Sequence, residues 1–302
     1  MIKPCALQEG DRIAVIAPAG SSDREKLQQG IRVLEKMGLK VTIGRHVFDV
    51  EENLAAADQK RLADLHEALF DPAIRGIFCA NGGFGTARIA PMIDYAKIQR
   101  NPKIFWGYSD ITYLLNAIQK FSDLVTFHGP MVASDLNDEI RTAETESSFL
   151  PLFTRESLTY DSRKMPLKTL THGTGEGRLV GGNLDLLTNG LGTPFQVNTK
   201  GAILLIEEIA APSFLINAML THLKQAGVFD EIEGVVIGYL QAEPGDYANV
   251  KGVLQDFFSC APFPVVENFL IGHCKPNYGV PLGTNVKLTT SPPRLIIDSG
   301  VM

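Results

Sequence analysis

Strands and helices alternate through the first half of the chain, and this alternation restricts the possible folds more than any other feature. Short apolar runs lie between longer segments whose apolar residues recur at helical spacing. Strands separated by helices of about 10–15 residues form a parallel sheet that is covered on both faces. The sequence therefore predicts an α/β fold. The predicted strands are 12–17, 41–43, 74–80, 104–107 and 125–127, and the predicted helices are 23–37 and 59–70.

The pattern weakens in the middle of the chain. Residues 156–173 are polar and lack a sustained helical period, so we expect a crossing between two domains there. Residues 1–155 then form the parallel α/β domain, and residues 174–302 form a smaller, mixed second domain. That second domain has predicted strands at 202–207, 234–238, 286–290 and 294–298, and predicted helices at 213–225 and near 250–258.

Charge and composition exclude several classes of protein. The formal net charge of -6 and the pI of about 5.6 argue against nucleic acid or an anionic membrane as the main partner. Neither a signal peptide nor an apolar run of membrane-spanning length is visible, so we expect a cytoplasmic protein. The four cysteines have no paired spacing, which argues against a zinc site. Cys79 lies in an apolar strand and is expected in the core.

Ser109 lies at a predicted strand-to-helix turn. It follows the strand 104–107, and apolar residues at helical spacing begin at Ile111. Such a turn exposes the serine hydroxyl at the carboxyl end of the sheet, beside free N–H groups of the helix amino terminus. Ser109 is thus a candidate nucleophile. The alternative is that it caps an ordinary helix, because serine is a preferred N-cap residue.

Two glycine-rich segments indicate close approach of the backbone to a ligand, and an ordinary glycine turn between a strand and a helix is the alternative. The loop 82–85 follows the third strand and lacks the Lys-Ser/Thr pair of a phosphate-binding loop. A second double glycine, 181–182, suggests that two backbone segments converge on one site. We expect Gly82 and Phe84 of the first segment, and Gly182 and Asn183 of the second, to bind substrate.

Two acidic residues and two histidines are candidates for proton transfer. Glu207 and Glu208 end an apolar strand, where a carboxylate is costly unless it is paired or solvated. One of them is a candidate partner for a histidine, and solvation at the strand end is the alternative. His273, in a loop framed by glycine and proline, is favoured over His128 as the base. Cys274, beside His273, is a possible reactive thiol.

Together these segments resemble a known family, the LD-carboxypeptidases of murein recycling. This serine peptidase family also includes microcin C immunity hydrolases. The matching segments occur in order along nearly the whole chain, and their combination is far more specific than any one of them. They are 15–18, 82–85, 106–110, 181–184, 192–194, 206–208, 272–273 and 281–283.

The resemblance implies roles for individual residues. Ser109, Glu207 and His273 would form a Ser-Glu-His triad, and the backbone N–H groups of Asp110 and Gly83 would form the oxyanion hole. It also implies a flavodoxin-like amino-terminal domain, a β-rich carboxyl-terminal domain, and a homodimer that uses no metal or other cofactor. The expected reaction is release of the terminal D-alanine from a murein tetrapeptide.

The chain departs from the family pattern at two places. Asn81 stands where members often carry arginine. Members also often carry Glu-Asp followed by a further glutamate and an arginine, and the stretch from Glu207 to Asn217 lacks that further glutamate and the arginine. These differences leave open a microcin-type immunity hydrolase that cleaves a peptidyl-adenylate analogue.

An α/β-hydrolase esterase is a weaker alternative, because Ile111 occupies its second glycine position. A non-catalytic binder of peptides or cell-wall fragments is the alternative from another class.

Overall fold

The protein is described here by a computed structural model covering residues 1–52 and 54–302. These residues form two compact units. The first comprises Met1–Glu156, Lys275–Leu282 and Ser299–Met302, and the second comprises Ser157–Cys274 and Gly283–Asp298.

The first unit is built on a six-stranded sheet. Its strands are β1 (Arg12–Ile16), β2 (Lys40–Ile43), β3 (Ile74–Cys79), β4 (Ile104–Gly107), β5 (Thr126–His128) and β12 (Val280–Leu282). The spatial order is β12-β5-β4-β3-β1-β2, with β1 to β5 parallel and β12 antiparallel to β5. The parallel part has the order 2-1-3-4-5 of flavodoxin-like folds, which confirms the predicted fold class.

Helices accompany this sheet, and their boundaries follow from local chemistry. They are α1 (Arg24–Lys36), α2 (Asp58–Phe70), α3 (Thr86–Ile89), α4 (Tyr95–Arg100), α5 (Thr112–Ser122) and α6 (Ala143–Ser147). Asp23 caps α1 by accepting the Lys26 N–H at 2.9 Å, and the helix buries one apolar face. At the sheet, Trp106 is buried against the rings of Phe127 and Phe149.

The second unit is built on an eight-stranded mixed sheet. Its strands are β6 (Leu158–Asp161), β7 (Lys168–Thr171), β8 (Thr174–Asn183), β9 (Ala202–Ala211), β10 (Gly234–Ala242), β11 (Val265–Glu267), β13 (Asn285–Thr290) and β14 (Pro293–Ile297). The order is β6-β14-β13-β8-β9-β10-β11-β7, with β8 to β11 parallel. The helices are α7 (Leu184–Asn189), α8 (Ser213–Gln225) and α9 (Tyr247–Phe258).

Two expectations about domain organisation are wrong. Residues 156–173 are not a plain crossing, because they contain β6 and β7, the two edge strands of the second sheet. Both strands are only partly buried, which is why they lack the alternation of a half-buried strand. The 174–302 segment is also divided. β12 pairs with β5, and the Met302 N–H donates to the Pro4 carbonyl at 3.0 Å, so both pieces belong to the first unit.

No helix among the described residues is both long enough and apolar enough to cross a membrane.

Candidate active site

The turn at Ser109 has an unusual backbone conformation. Ser109 has a φ of 61°, in the left-handed region, and is half-buried between the buried residues Tyr108 and Asp110. An N-cap residue has extended backbone geometry, so Ser109 does not cap α5. A non-glycine residue held in this region costs about 1–3 kcal/mol, and such strain clusters at functional sites. The turn therefore has the local geometry expected for a nucleophile elbow.

The glycine loop lies directly against this serine. A Cβ atom added to Gly82 would lie 2.9 Å from Ser109 Cβ and 3.0 Å from Ser109 Oγ. Only glycine fits at such a distance. Gly83 follows with a φ of 114°, and the Phe84 side chain is 58% exposed. The first unit thus brings together Ser109 and the loop that the sequence singled out.

A pair of hydrogen bonds ties the glycine loop to the nucleophile turn. Asp110 Oδ2 accepts the Thr86 N–H at 2.9 Å, and Thr86 Oγ1 donates to the Asp110 carbonyl at 2.6 Å. Both side chains are buried. Burial raises the pKa of Asp110, and the bonds from Thr86 oppose this effect. The residue after the serine therefore holds the start of α3 with its side chain.

A second buried carboxylate lies behind the same turn. Asp135 accepts from the Tyr108 hydroxyl at 3.1 Å, from the Met131 N–H at 2.9 Å and from Ser134 Oγ at 2.8 Å. Burial raises the pKa of Asp135 despite these bonds. Sequence reasoning missed this residue, since one aspartate in a mixed segment carries no distinguishing pattern.

In the second unit, Glu207 and His273 form a buried pair. Glu207 lies in β9 with a side chain that is 0% exposed, and its Oε2 is 2.7 Å from His273 Nδ1. An ionised carboxylate only accepts hydrogen bonds, so Nδ1 carries a proton and Nε2 of the neutral ring is left as the basic nitrogen. Gly272 has a φ of 102°, and a Cβ there would lie 2.8 Å from Glu207 Cδ. An imidazole held in this way is chemically capable of accepting a proton at Nε2.

Glu208 points to different partners. Its Oε1 accepts from Asn183 Nδ2 at 3.1 Å and from the Ile209 N–H at 2.8 Å, while Oε2 accepts the Asp185 N–H at 2.8 Å. Glu207 and Glu208 are both buried, so the alternative of two acids solvated at a strand end is wrong. Burial raises the pKa of Glu208. Alternation along the strand separates the two roles, as Glu207 contacts the histidine and Glu208 holds the start of α7.

The second glycine segment lies beside the acid. In the parallel pair of β8 and β9, Gly182 is opposite Ile206 and Asn183 is opposite Glu207. Asn183 is buried and caps α7, where its Oδ1 accepts the Leu186 N–H at 3.3 Å. The Asn183 side chain therefore holds the first turn of α7 in this structure.

The remaining candidates have other surroundings. His128 is fully buried at the end of β5, with its ring centroid 5.6 Å from that of Tyr108. Cys79 is buried in the core as expected, and burial raises its pKa. Cys274 is partly exposed. Within residues 1–52 and 54–302, no cluster of three or more His, Cys, Asp or Glu residues is placed to hold a metal ion.

Comparison with known proteins agrees with a hydrolase built on this scaffold. A family model described as the LD-carboxypeptidase N-terminal domain matches residues 13–129, and one described as the LD-carboxypeptidase C-terminal domain matches residues 176–288. The two units thus correspond to the two domains of a class of serine peptidases. The chain is a member of the LD-carboxypeptidase family.

Individual relatives support this membership. A probable murein peptide carboxypeptidase of Bacillus subtilis is 41% identical over 303 residues, which is 99% of this chain and 95% of the relative. A solved structure of an MccF-like protein from Bacillus anthracis superposes with a TM-score of 0.89 at 26% identity, covering 99% of this chain and 100% of the other. The solved structure of a muramoyltetrapeptide carboxypeptidase from Oxalobacter formigenes superposes with a TM-score of 0.85 at 29% identity. The match covers 96% of this chain and 100% of the other.

Proposed function

We propose that this chain is a cytoplasmic serine carboxypeptidase that cleaves an L,D-peptide bond and releases the terminal D-alanine of a murein tetrapeptide. The observation that carries the proposal is the buried Glu207–His273 pair, because it prepares a basic imidazole nitrogen. The substrate class is supported by the 41% identical relative named as a probable murein peptide carboxypeptidase.

The proposed triad is Ser109, Glu207 and His273. Ser109 Oγ attacks the carbonyl carbon of the scissile bond, and His273 Nε2 takes the hydroxyl proton. The tetrahedral oxyanion is stabilised by the backbone N–H groups of Asp110 and Gly83. As the C–N bond breaks, His273 returns the proton to the leaving amine of D-alanine. Water, deprotonated by the same histidine, then releases the acyl group from Ser109 and restores the enzyme.

The remaining parts of the proposal concern binding and assembly. Gly82, Phe84, Gly182 and Asn183 are the proposed substrate-binding residues. Phe84 is the one with a largely exposed side chain, which suits a direct contact with the peptide. Glu207 keeps its charge and stabilises the imidazolium that forms during each proton transfer. The proposed enzyme is a homodimer that needs no metal or other cofactor.

A microcin-type immunity hydrolase is the second candidate. It is favoured by the likeness to the MccF-like protein and by Asn81, which replaces an arginine common in the family. Asn81 Nδ2 donates to the Ser21 carbonyl at 3.0 Å, so this residue braces a neighbouring turn instead of offering a charge to a ligand. Loss of that positive charge changes which substrates bind without removing the proposed triad.

One experiment separates these functions. Purified protein is incubated with murein tetrapeptide, with the pentapeptide and with a microcin C analogue, and the products are followed by mass spectrometry. The proposal predicts loss of one alanine from the tetrapeptide, insensitivity to excess EDTA, and no product with Ser109→Ala. Cleavage of the microcin analogue alone would favour the immunity hydrolase, and binding of tetrapeptide without turnover would favour a binder.

A further inference from the structure

Arg61 is a buried cation that the proposed mechanism does not use. It lies in α2, only 1% of its surface is exposed, and it forms an ion pair with Asp58. Its guanidinium donates to the carbonyls of Ala56 at 3.0 Å, of Gly85 at 3.1 Å and of Pro18. Burial of an arginine is costly unless its donors are satisfied. Here, three backbone carbonyls from three turns provide the acceptors.

Two of these carbonyls belong to turns beside the candidate nucleophile. Pro18 follows β1, and Gly85 ends the glycine loop after β3. The same two turns are joined a second time, because the Gly20 N–H donates to the Gly82 carbonyl at 2.8 Å. Together, the bonds from Arg61 to Pro18 and Gly85 and the bond from Gly20 to Gly82 fix both ends of the loop 82–85 to the turn after β1. We call this set of bonds the frame.

The other side of the frame is the bond pair between Thr86 and Asp110. Thr86 follows the glycine loop directly, and Asp110 follows Ser109 directly. The Arg61 guanidinium also acts on Asp110, since it lowers the pKa of that carboxyl against the larger effect of burial. The buried cation thus holds the last residue of the loop, and the buried carboxylate holds the residue that follows it.

We propose that Arg61 and the Thr86–Asp110 pair are positioning residues for the oxyanion hole, which set the Gly83 N–H relative to the Asp110 N–H. This inference rests on the proposed function, because it assigns a task to the loop only if Ser109 is the nucleophile. Donors in an oxyanion hole act by being fixed before the charge develops. Backbone N–H groups on a glycine loop have no side chains to hold them, so the surrounding bonds must do so.

The test compares substitutions on each side of the frame. Arg61→Lys keeps the charge but cannot reach three carbonyls, and we expect kcat to fall on the order of 10²-fold with KM changed by less than about threefold. Thr86→Val removes the hydroxyl donor at nearly constant shape, and we expect a fall in kcat on the order of tenfold. Thr86→Ser restores the hydroxyl and should return kcat to within about threefold of wild type.

Lys103→Met provides the matched control. Lys103 is a buried cation of the same unit, and its Nζ donates to the carbonyls of Asp71 and Ile74. It directly precedes β4, whose other end leads to Ser109. Its loss should lower the melting temperature and leave kcat per folded molecule unchanged. If Arg61→Lys does not fold, the Thr86→Val and Thr86→Ser pair still provides the comparison.

Several results would overturn the inference. These are an unchanged kcat in Thr86→Val, a loss that appears in KM alone, a failure of Thr86→Ser to restore activity, and an equal fall in kcat with Lys103→Met. The rate of Ser109 labelling by a phosphonate, which forms a tetrahedral adduct, should fall in parallel with kcat. Failure of the proposed function is distinct, since it appears in the wild-type protein as no turnover of the tetrapeptide, or as full activity in Ser109→Ala.

Discussion

The candidate nucleophile depends on backbone geometry, whereas the candidate base depends on contacts between side chains. In the first unit, Ser109 and its loop depend on backbone geometry. Ser109 has a backbone conformation in the left-handed region, and Gly82 has no room for a Cβ atom beside it. In the second unit, Glu207 and His273 depend on one side-chain pair at 2.7 Å, formed between residues 66 apart in sequence. Local chain geometry leaves a pattern in the sequence, whereas a pair of residues far apart in the chain leaves no local pattern.

Ser109→Ala gives the largest expected effect. Loss of the nucleophile should lower kcat by roughly 10⁴–10⁶-fold. Ser109→Gly should be equally inactive but more stable than Ser109→Ala by about 1 kcal/mol, because glycine adopts the left-handed backbone without strain. Turnover and denaturant unfolding of both variants check this. Activity within tenfold of wild type would remove Ser109 as the nucleophile.

Glu207→Gln and Glu208→Gln compare two neighbouring buried acids. An amide at 207 can donate to Nδ1 and stabilise the wrong tautomer, so kcat should fall by roughly two to four orders of magnitude. Glu208→Gln should keep kcat within about tenfold of wild type and lower the free energy of unfolding by about 1–3 kcal/mol, because an amide leaves one of its donors without an acceptor. Kinetics on one substrate and thermal unfolding measure both effects. A larger kinetic loss at 208 would reverse the assignment.

Gly272→Ala and Gly82→Ala disturb each region by one methyl group. At 272 the new Cβ overlaps the Glu207 carboxylate, and at 82 it overlaps Ser109. We expect each to lower kcat by roughly 10–100-fold, by misplacing the reacting groups. The pH profile of kcat separates them. It should shift in Gly272→Ala, where the partner of the histidine moves, and stay in place in Gly82→Ala.

Asp135→Asn has the smallest expected effect and reports on the support behind Ser109. Burial raises the pKa of Asp135 in the folded chain, so its favourable contribution is present at low pH and is lost as pH rises through that pKa. The stability of Asp135→Asn relative to wild type should therefore improve as pH rises from about 4 towards 7. Melting temperatures across this range test the sign, and the opposite trend would mean that the hydrogen-bond donors to Asp135 outweigh burial.

The fold was predictable where local patterns are strong. The helix α8 has the predicted bounds, and the five parallel strands of the first sheet were all expected. The strand β8 was not, because it contains four glycines, which have low strand propensity. β12 is three residues long and pairs with a strand about 150 residues earlier, so no local pattern could reveal it.

The site divides in the same way. Ser109 and the glycine loop followed from a strand-to-turn pattern, and their contact is present in the structure. Residues alone could not choose between Glu207 and Glu208, since the strand before them is apolar on both faces. Arg61 resembled an ordinary charge on an amphipathic helix. Its burial arises only because several turns bring their carbonyls to one point.

The return of β12 to the first sheet has a consequence for synthesis on the ribosome. The chain emerges from its amino terminus, so β5 is made long before its antiparallel neighbour. Until Val280–Leu282 appear, a nascent first sheet has an open edge beside the indole of Trp106, and open edges invite pairing with other chains. The segment Ser157–Cys274 of the second unit is produced during this delay, whereas its strands β13 and β14 follow β12. Completion of the nucleophile-bearing sheet therefore waits until about 150 further residues have been made after β5.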